Sequence, residues 1–173
     1  MHALQPADRG VTGIEAVTAD CRRLAPGRLL FRWQVDGDLG WLVGPAPATR
    51  RREDGLWRHT CFEAFIAPDA AAPGYLEINA SPSLAWASYA FTDYRAGQRD
   101  ALNAPLDALR VQRDASRLLL EAELAWVPGL APRVGLAAVL EDLDGSLSYW
   151  ALAHAPGRPD FHRRESFVLQ LRD

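Results

Sequence analysis

Turn-forming residues punctuate this chain at intervals too short for long helices. Its 12 prolines and 13 glycines are spread through nearly every stretch of the 173 residues. Proline inside a helix removes a hydrogen bond and clashes with the preceding turn. The clusters Pro26-Gly27, Asp36-Gly37-Asp38, Pro68-Asp69, Pro73-Gly74, Pro128-Gly129 and Asp144-Gly145 separate short extended runs, the pattern of a sandwich or barrel rather than of alternating strands and helices. The runs are Gly13–Ala19, Leu29–Asp36, Leu39–Gly44, Cys61–Ala67, Tyr75–Ala80, Ala85–Thr92, Ala108–Arg113, Leu118–Trp126, Arg133–Glu141, Leu147–His154 and Ser166–Leu171. Alternation is clearest in the run after Arg117, where Leu118, Leu120, Ala122 and Leu124 share one face and Glu121 and Glu123 the other, which predicts a half-buried strand. Asp144-Gly145 predicts a hairpin, and with it antiparallel pairing. At most one short helix is expected, over Arg99–Leu109, which Pro105 would end or kink.

The length fits a single domain over residues 1–173 with a substantial core. Of the 49% apolar residues, 29 are alanine, so bulky side chains are fewer than the percentage suggests. All 19 basic residues are arginine and the net charge is −3, which gives no electrostatic capture of nucleic acid. Arg50-Arg51-Arg52 is expected to be a solvated surface turn. The stretch Met1–Pro6 has neither a basic nor an apolar leader segment, and no apolar run reaches a membrane span. The expectation is a cytoplasmic protein without a membrane partner. Cys21 and Cys61 are expected to stay thiols there, and two cysteines so spaced cannot alone build a zinc or iron–sulfur site.

Aromatic and polar residues concentrate in two blocks, Trp57–Arg95 and Tyr149–His162. In the first, Tyr75, Glu77 and Asn79 alternate onto one face while Leu76 and Ile78 take the other. Glu63 on the preceding strand can join them, since Phe62, Ala64 and Ile66 alternate onto the opposite face. Two carboxylates and an amide then converge. Such groups suit sugar recognition: hydroxyls need acceptors and mixed donors, and the C–H faces of pyranose rings stack on aromatic planes. Trp57, Trp86, Tyr94 and Trp150 are candidate platforms, and Arg58 and Arg95 candidate forked donors.

Paired carboxylates also raise glycosidic hydrolysis by Glu63 and Glu77. In the second block, His154, Asp160 and His162 match no established metal-ligand spacing. Haem held by His154 or His162 is a further alternative, with histidine–methionine ligation excluded because Met1 is the sole methionine. An interaction module using a sheet edge is another. There is no G-x-S-x-G, H-E-x-x-H, P-loop or G-x-G-x-x-G motif.

The runs Leu56-Trp57-Arg58-His59-Thr60-Cys61-Phe62-Glu63-Ala64-Phe65, Tyr75-Leu76-Glu77-Ile78-Asn79-Ala80-Ser81-Pro82, Trp86–Phe91 with Tyr94-Arg95, Ser148–His154 and Pro159–His162 together carry a resemblance. In this order they resemble bacterial DOMON-like proteins, relatives of the family 9 carbohydrate-binding modules, from about Leu29 to Leu171. The resemblance implies an all-β antiparallel β-sandwich of about ten or eleven strands with a ligand groove on one face, in a superfamily whose members bind sugars or haem. It implies binding without turnover. Glu63, Glu77, Asn79 and Trp86 occupy motif positions for the sugar site, with Trp57 and Trp150 as further matches. The expected partner is thus a small, sugar-like molecule, with Trp57, Arg58, Glu63, Glu77, Asn79, Trp86, Tyr94, Arg95, Trp150 and His154 as ligand-binding candidates and no resident cofactor. The Pro45–Asp54 loop is a candidate cover over the groove.

Overall fold

A computed structural model describes residues 1–7, 13–25, 27–44, 49–68, 72–101, 106–126 and 131–171. Arginines, aspartates and glutamates alternate with large apolar residues along the strands β4 (Arg28–Gly37) and β11 (Arg117–Ala125), and this alternation sorts them into an inner and an outer face. Leu29, Phe31, Trp33 and Val35 of β4 and Leu118, Leu120, Ala122 and Leu124 of β11 are fully buried. On the outside, Arg32 stands opposite Glu121 and Arg117 opposite Asp36, with Arg32 Nε donating to Glu121 Oε1 at 2.8 Å and Arg117 Nε to Asp36 Oδ1 at 2.7 Å. A register slip of one residue would send these charges into the core.

Flanked by β3 (Ile14–Ala25), β10 (Leu106–Arg113) and the two-residue β1 (His2–Ala3), these strands form a five-stranded sheet in the order β1-β3-β4-β11-β10. The second sheet runs β2 (Gln5–Pro6), β13 (Leu147–Ala151), β12 (Arg133–Glu141), β6 (Cys61–Ala67), β7 (Tyr75–Ala80), β8 (Ala85–Phe91) and β5 (Arg51–Arg52). The short β14 (Leu169–Gln170) pairs with β12 and β9 (Arg99–Asp100) with β8. All pairs are antiparallel except β5 with β8. The protein is an all-β sandwich. Phe62, Ala64, Ile66, Ile78, Leu136, Ala138, Leu140 and Trp150 meet Phe31, Trp33 and the β11 leucines in the core between the sheets.

Every residue of β6 is buried, on both faces. The outer face of the larger sheet is therefore covered, and the cover is the C-terminal segment after β13. From that segment Phe167 stacks on Phe65 at 5.9 Å, and Phe161 meets it tilted, at 6.4 Å. Gly135 permits the approach, since a Cβ there would lie 2.8 Å from Phe167 Cδ1.

The alternation read along β6, β7 and β11 and the Asp144-Gly145 hairpin are all present, the hairpin with Gly145 at φ 84°. Fourteen strands occur among the described residues, five of them two residues long, against the ten or eleven expected. Leu39–Gly44 is not a strand. Asp38 accepts a hydrogen bond from Gly40 N–H at 2.9 Å and caps a 3-10 turn over Leu39–Trp41, leaving Leu42 a single bridge to Asp142. Arg99–Leu109 is not a helix, because Arg99–Asp100 and Leu106–Arg113 are strands; residues 102–105, with Pro105, lie outside the described residues. The strand expected over Leu147–His154 stops at Ala151, and Ser166 belongs to a 3-10 turn over Arg164–Ser166 rather than to the last strand. Arg51 and Arg52 are exposed as expected but strand-paired, with Glu53, Asp54 and Asp100 offsetting their charge. The Pro26, Asp69 and Pro128-Gly129 turn positions and residues 45–48 of the Pro45–Asp54 loop lie outside the described residues.

Candidate functional site

The outer face of the larger sheet carries the polar cluster that the alternation of β6 and β7 predicts. Glu63 stands directly opposite Asn79, and Phe65 opposite Glu77. Opposite residues on one face lie about 5 Å apart, so Glu63, Asn79 and Glu77 form one patch of floor. Asn79 Nδ2 donates to Glu77 Oε1 at 2.7 Å. Glu63, Glu77 and Asn79 are 4%, 5% and 0% exposed, and Glu63 Oε1 and Asn79 Oδ1 have no hydrogen-bond partner among the described residues. Burial, and then the Glu77 charge, pushes the Glu63 carboxyl well above the usual range, with Arg95 opposing. Burial raises Glu77 to about 7, against the pull of Asn79 and Arg95.

Over this floor rises a cavity of about 280 Å³ lined by Trp57, Glu63, Glu77, Phe91, Arg95, Gln98, Val139, Tyr149, Pro159, Asp160, Phe161 and His162. That is just below the ~300 Å³ at which small-molecule pockets usually begin, room for one ring rather than a chain. Its walls come from three places: the Leu56–Arg58 turn with Trp57, the β8–β9 hairpin with Tyr94 and Arg95, and the Pro159–His162 loop.

His162 locks the loop onto the sheet. Its ring stands edge-on to Phe65, Tyr75 and Phe91 at 5.1, 5.8 and 5.2 Å. Its Nδ1 lies 2.7 Å from the Tyr75 hydroxyl, which itself accepts the Arg95 backbone N–H at 3.2 Å. With the ring neutral, the Tyr75 hydroxyl can donate to Nδ1, which leaves the ring's proton on Nε2. Burial, helped by the Arg95 charge and opposed by Asp160, lowers His162 to about 4. Its Nε2 is 3.8 Å from Glu77 Oε2, beyond hydrogen-bond reach, and with a neutral ring this contact is no ion pair at neutral pH.

Asp160 ties the two walls together. It accepts from Arg95 Nη2 at 2.9 Å, from the Tyr94 hydroxyl, and from the His162 backbone N–H at 3.2 Å. Burial works to raise its carboxyl, but Tyr94 and Arg95 together hold it below the usual range. Arg95 adopts φ 50°, a left-handed conformation that costs a non-glycine residue about 1 kcal/mol. The bonds to Tyr75 and Asp160 hold it there.

The cavity brings together Trp57, Glu63, Glu77 and Arg95, with Asn79 in the floor behind Glu77 and Tyr94 on the rim. Trp86, Trp150, Arg58 and His154 do not join them. Trp86 and Trp150 point the other way along their strands, into the core between the sheets, where the Trp150 indole donates to Ser148. Strand parity is the reason: Ala87, Tyr89 and Phe91 face outward with Asn79, Glu77 and Tyr75 opposite them, so the intervening Trp86 faces inward. Tyr149 likewise takes the outward position beside Trp150. Arg58 borders a second cavity of about 720 Å³ at the sheet edge, with His59, Glu141, Arg51 and Asp54. His154 Nε2 is engaged by the Gln5 carbonyl at 2.8 Å.

Phe91, Gln98, Val139, Tyr149, Pro159, Asp160 and Phe161 are lining residues that sequence reasoning did not place in the groove. For Phe91 and Tyr149 the signal was present in the alternation, once the outward parity of each strand was known. Neither histidine fits as an axial haem ligand. His154 Nε2 is bonded to backbone, and His162 is wedged among three aromatic rings with Nδ1 taken by Tyr75.

No protein-family model matches the chain, and no curated protein matches it. Among solved structures, the fold is similar to that of a "putative carbohydrate-binding protein" from Bacteroides uniformis ATCC 8492, at a TM-score of 0.58 and 14% sequence identity over 95% of this chain and 84% of that one. At that identity the likeness concerns the fold.

Proposed function

We propose that the protein binds a small carbohydrate, a single ring or the end of a short chain, in the cavity on the outer face of its larger sheet, and that it does so without turnover. The observation that carries the reading is the lining itself: Trp57, Phe91, Tyr149 and Phe161 surround the buried acceptors Glu63 and Glu77 in one cavity. Such a site stacks the C–H face of a ring and takes the hydrogens of its hydroxyls. The likeness of fold to the Bacteroides uniformis protein supports it, as does the motif resemblance to family 9 carbohydrate-binding modules and DOMON-like proteins. Glu63 and Glu77 rise from one floor on adjacent strands, so both meet the same side of a bound ring rather than flanking a scissile bond. The free, buried thiols of Cys21 and Cys61 suit a reducing compartment, and a cytoplasmic location is part of the proposal.

A thermal-shift panel of mono- and disaccharides tests it. A sugar binding with a Kd of about 1 mM, supplied at about 10 mM, stabilises the fold by about 1.4 kcal/mol, or roughly 3–6 °C for a chain of this size. The shift should fall to roughly a third to two thirds of that size in Trp57→Ala. No shift from any sugar in the panel overturns the reading.

A further inference from the structure

The floor of the cavity holds buried polar oxygens that the described residues leave unmet. Glu63 Oε1 and Asn79 Oδ1 are buried without a partner among the described residues, and both sit beside the Glu77 carboxylate, whose other contact is the Asn79 amide. Leaving such atoms unmet forfeits their hydration without replacing it. The one facing cation, Arg95, is paired with Asp160 at 2.9 Å, and burial keeps the His162 ring neutral. Among the described residues, the titratable and charged groups facing Glu63 and Glu77 are Arg95, Asp160, His162, Tyr75, Tyr89, Tyr149 and the Cys61 thiol, and Arg95 is the sole cation among them. The walls above are aromatic.

A hydroxyl brings one hydrogen to this floor and no charge. A primary ammonium brings three hydrogens on one atom, no acceptor, and the positive charge that two neighbouring carboxyls require. Aromatic faces add a cation–π contribution that a neutral ring does not draw on. We propose that the bound ligand carries a protonated primary amine seated against Glu63 and Glu77, so that amino sugars with a free amine are preferred over neutral hexoses. The inference rests on the sugar reading for the ring and on the orphaned acceptors for the amine.

Because the ammonium stabilises the ionised carboxyls, binding is linked to proton release from the Glu63–Glu77 pair and tightens as pH rises from about 5.5 to 7. Titration calorimetry with three probes, glucose, glucosamine and cyclohexylamine, in two buffers of different ionisation heat at pH 7 separates the possibilities. Glucosamine should bind at least ~10-fold more tightly than glucose, the size of effect that charged hydrogen bonds give, and only the amines should release protons. Glu77→Gln should remove most of the glucosamine advantage over glucose and the proton release that accompanies it, and Glu63→Gln should do the same where the first variant is compromised in folding. Equal affinity for glucose and glucosamine, without proton release, overturns the amine site and leaves the sugar reading standing. Binding of cyclohexylamine with neither sugar supports the amine site and overturns the sugar reading. Silence from all three overturns both.

Discussion

Glu77 costs stability for the sake of the site, and the cost has a pH signature. An ordinary glutamate loses its proton near 4.5, whereas burial holds Glu77 in the fold to about 7. Below pH 4.5 the group is protonated in both states and contributes nothing to the difference. As pH rises from 4.5 to 7, the unfolded chain releases the proton that the folded chain keeps, so the stability conferred by this group falls. At about 1.36 kcal/mol per pH unit, the loss is about 3 kcal/mol by pH 7 and levels off above it. His162 works in the opposite sense: its folded value of about 4, against the usual 6.5, makes stability rise with pH between 4 and 6.5. The two slopes nearly cancel in the wild type. Glu77→Gln keeps the shape and an acceptor for Asn79 Nδ2 but removes one slope. Urea unfolding from pH 4.5 to 7.5 should therefore find variant and wild type similar at the acid end. The variant should then pull ahead with rising pH, by about 3 kcal/mol at pH 7.5, or roughly 6–12 °C in Tm. Relief of Glu63, whose carboxyl the Glu77 charge raises, adds in the same direction. Parallel curves, or a gap that narrows as pH rises, would refute the account of a buried, strained carboxyl.

Trp57 is 40% exposed and Trp150 6%, so their alanine variants should separate binding from folding. Trp57→Ala should weaken a stacked sugar about 3- to 10-fold with little change in Tm, whereas Trp150→Ala should cost about 3–5 kcal/mol of stability in urea melts. Tyr75→Phe takes away the hydroxyl that pairs with His162 Nδ1 and accepts the Arg95 amide; the His162 ring signals should shift in proton NMR as the loop loosens on the sheet, and stability should fall by about 1–3 kcal/mol. Gly135→Ala places a Cβ against buried Phe167 and should destabilise the fold by about 1–3 kcal/mol through overpacking, with faster amide exchange across the C-terminal cover as the check.

Much of the sandwich is legible in the residues because one period, two, governs most of it. The leucines of β11, the phenylalanines of β6 and the Tyr75, Glu77, Asn79 face of β7 all follow from alternation. Alternation assigns residues to faces but does not say which face points outward, and that is where Trp86 and Trp150 mislead. Both are large aromatics beside the right motif, yet Trp150 is buried in the core and the half-buried Trp86 packs against it, while Phe91 and Tyr149 take the outward positions. The error at Leu39–Gly44 has a local cause, the Asp38 cap, which competes with strand geometry over a stretch of apolar residues. The C-terminal cover is a long-range fact: nothing between Pro159 and His162 announces that this loop folds back on β6 and β7, and Asp160 gains its role only when it meets Tyr94 and Arg95.

The six tryptophans give the most direct test of where a sugar sits, since each contributes one indole N–H resonance to an NMR spectrum. With a sugar identified by the thermal-shift panel and the resonances assigned by single tryptophan-to-phenylalanine variants, titration should move the Trp57 signal in proportion to occupancy and leave Trp33 and Trp150, buried between the sheets, unchanged. Saturable movement of Trp41 or Trp86 with Trp57 silent would contradict the account, because the sugar would then lie away from the outer-face cavity.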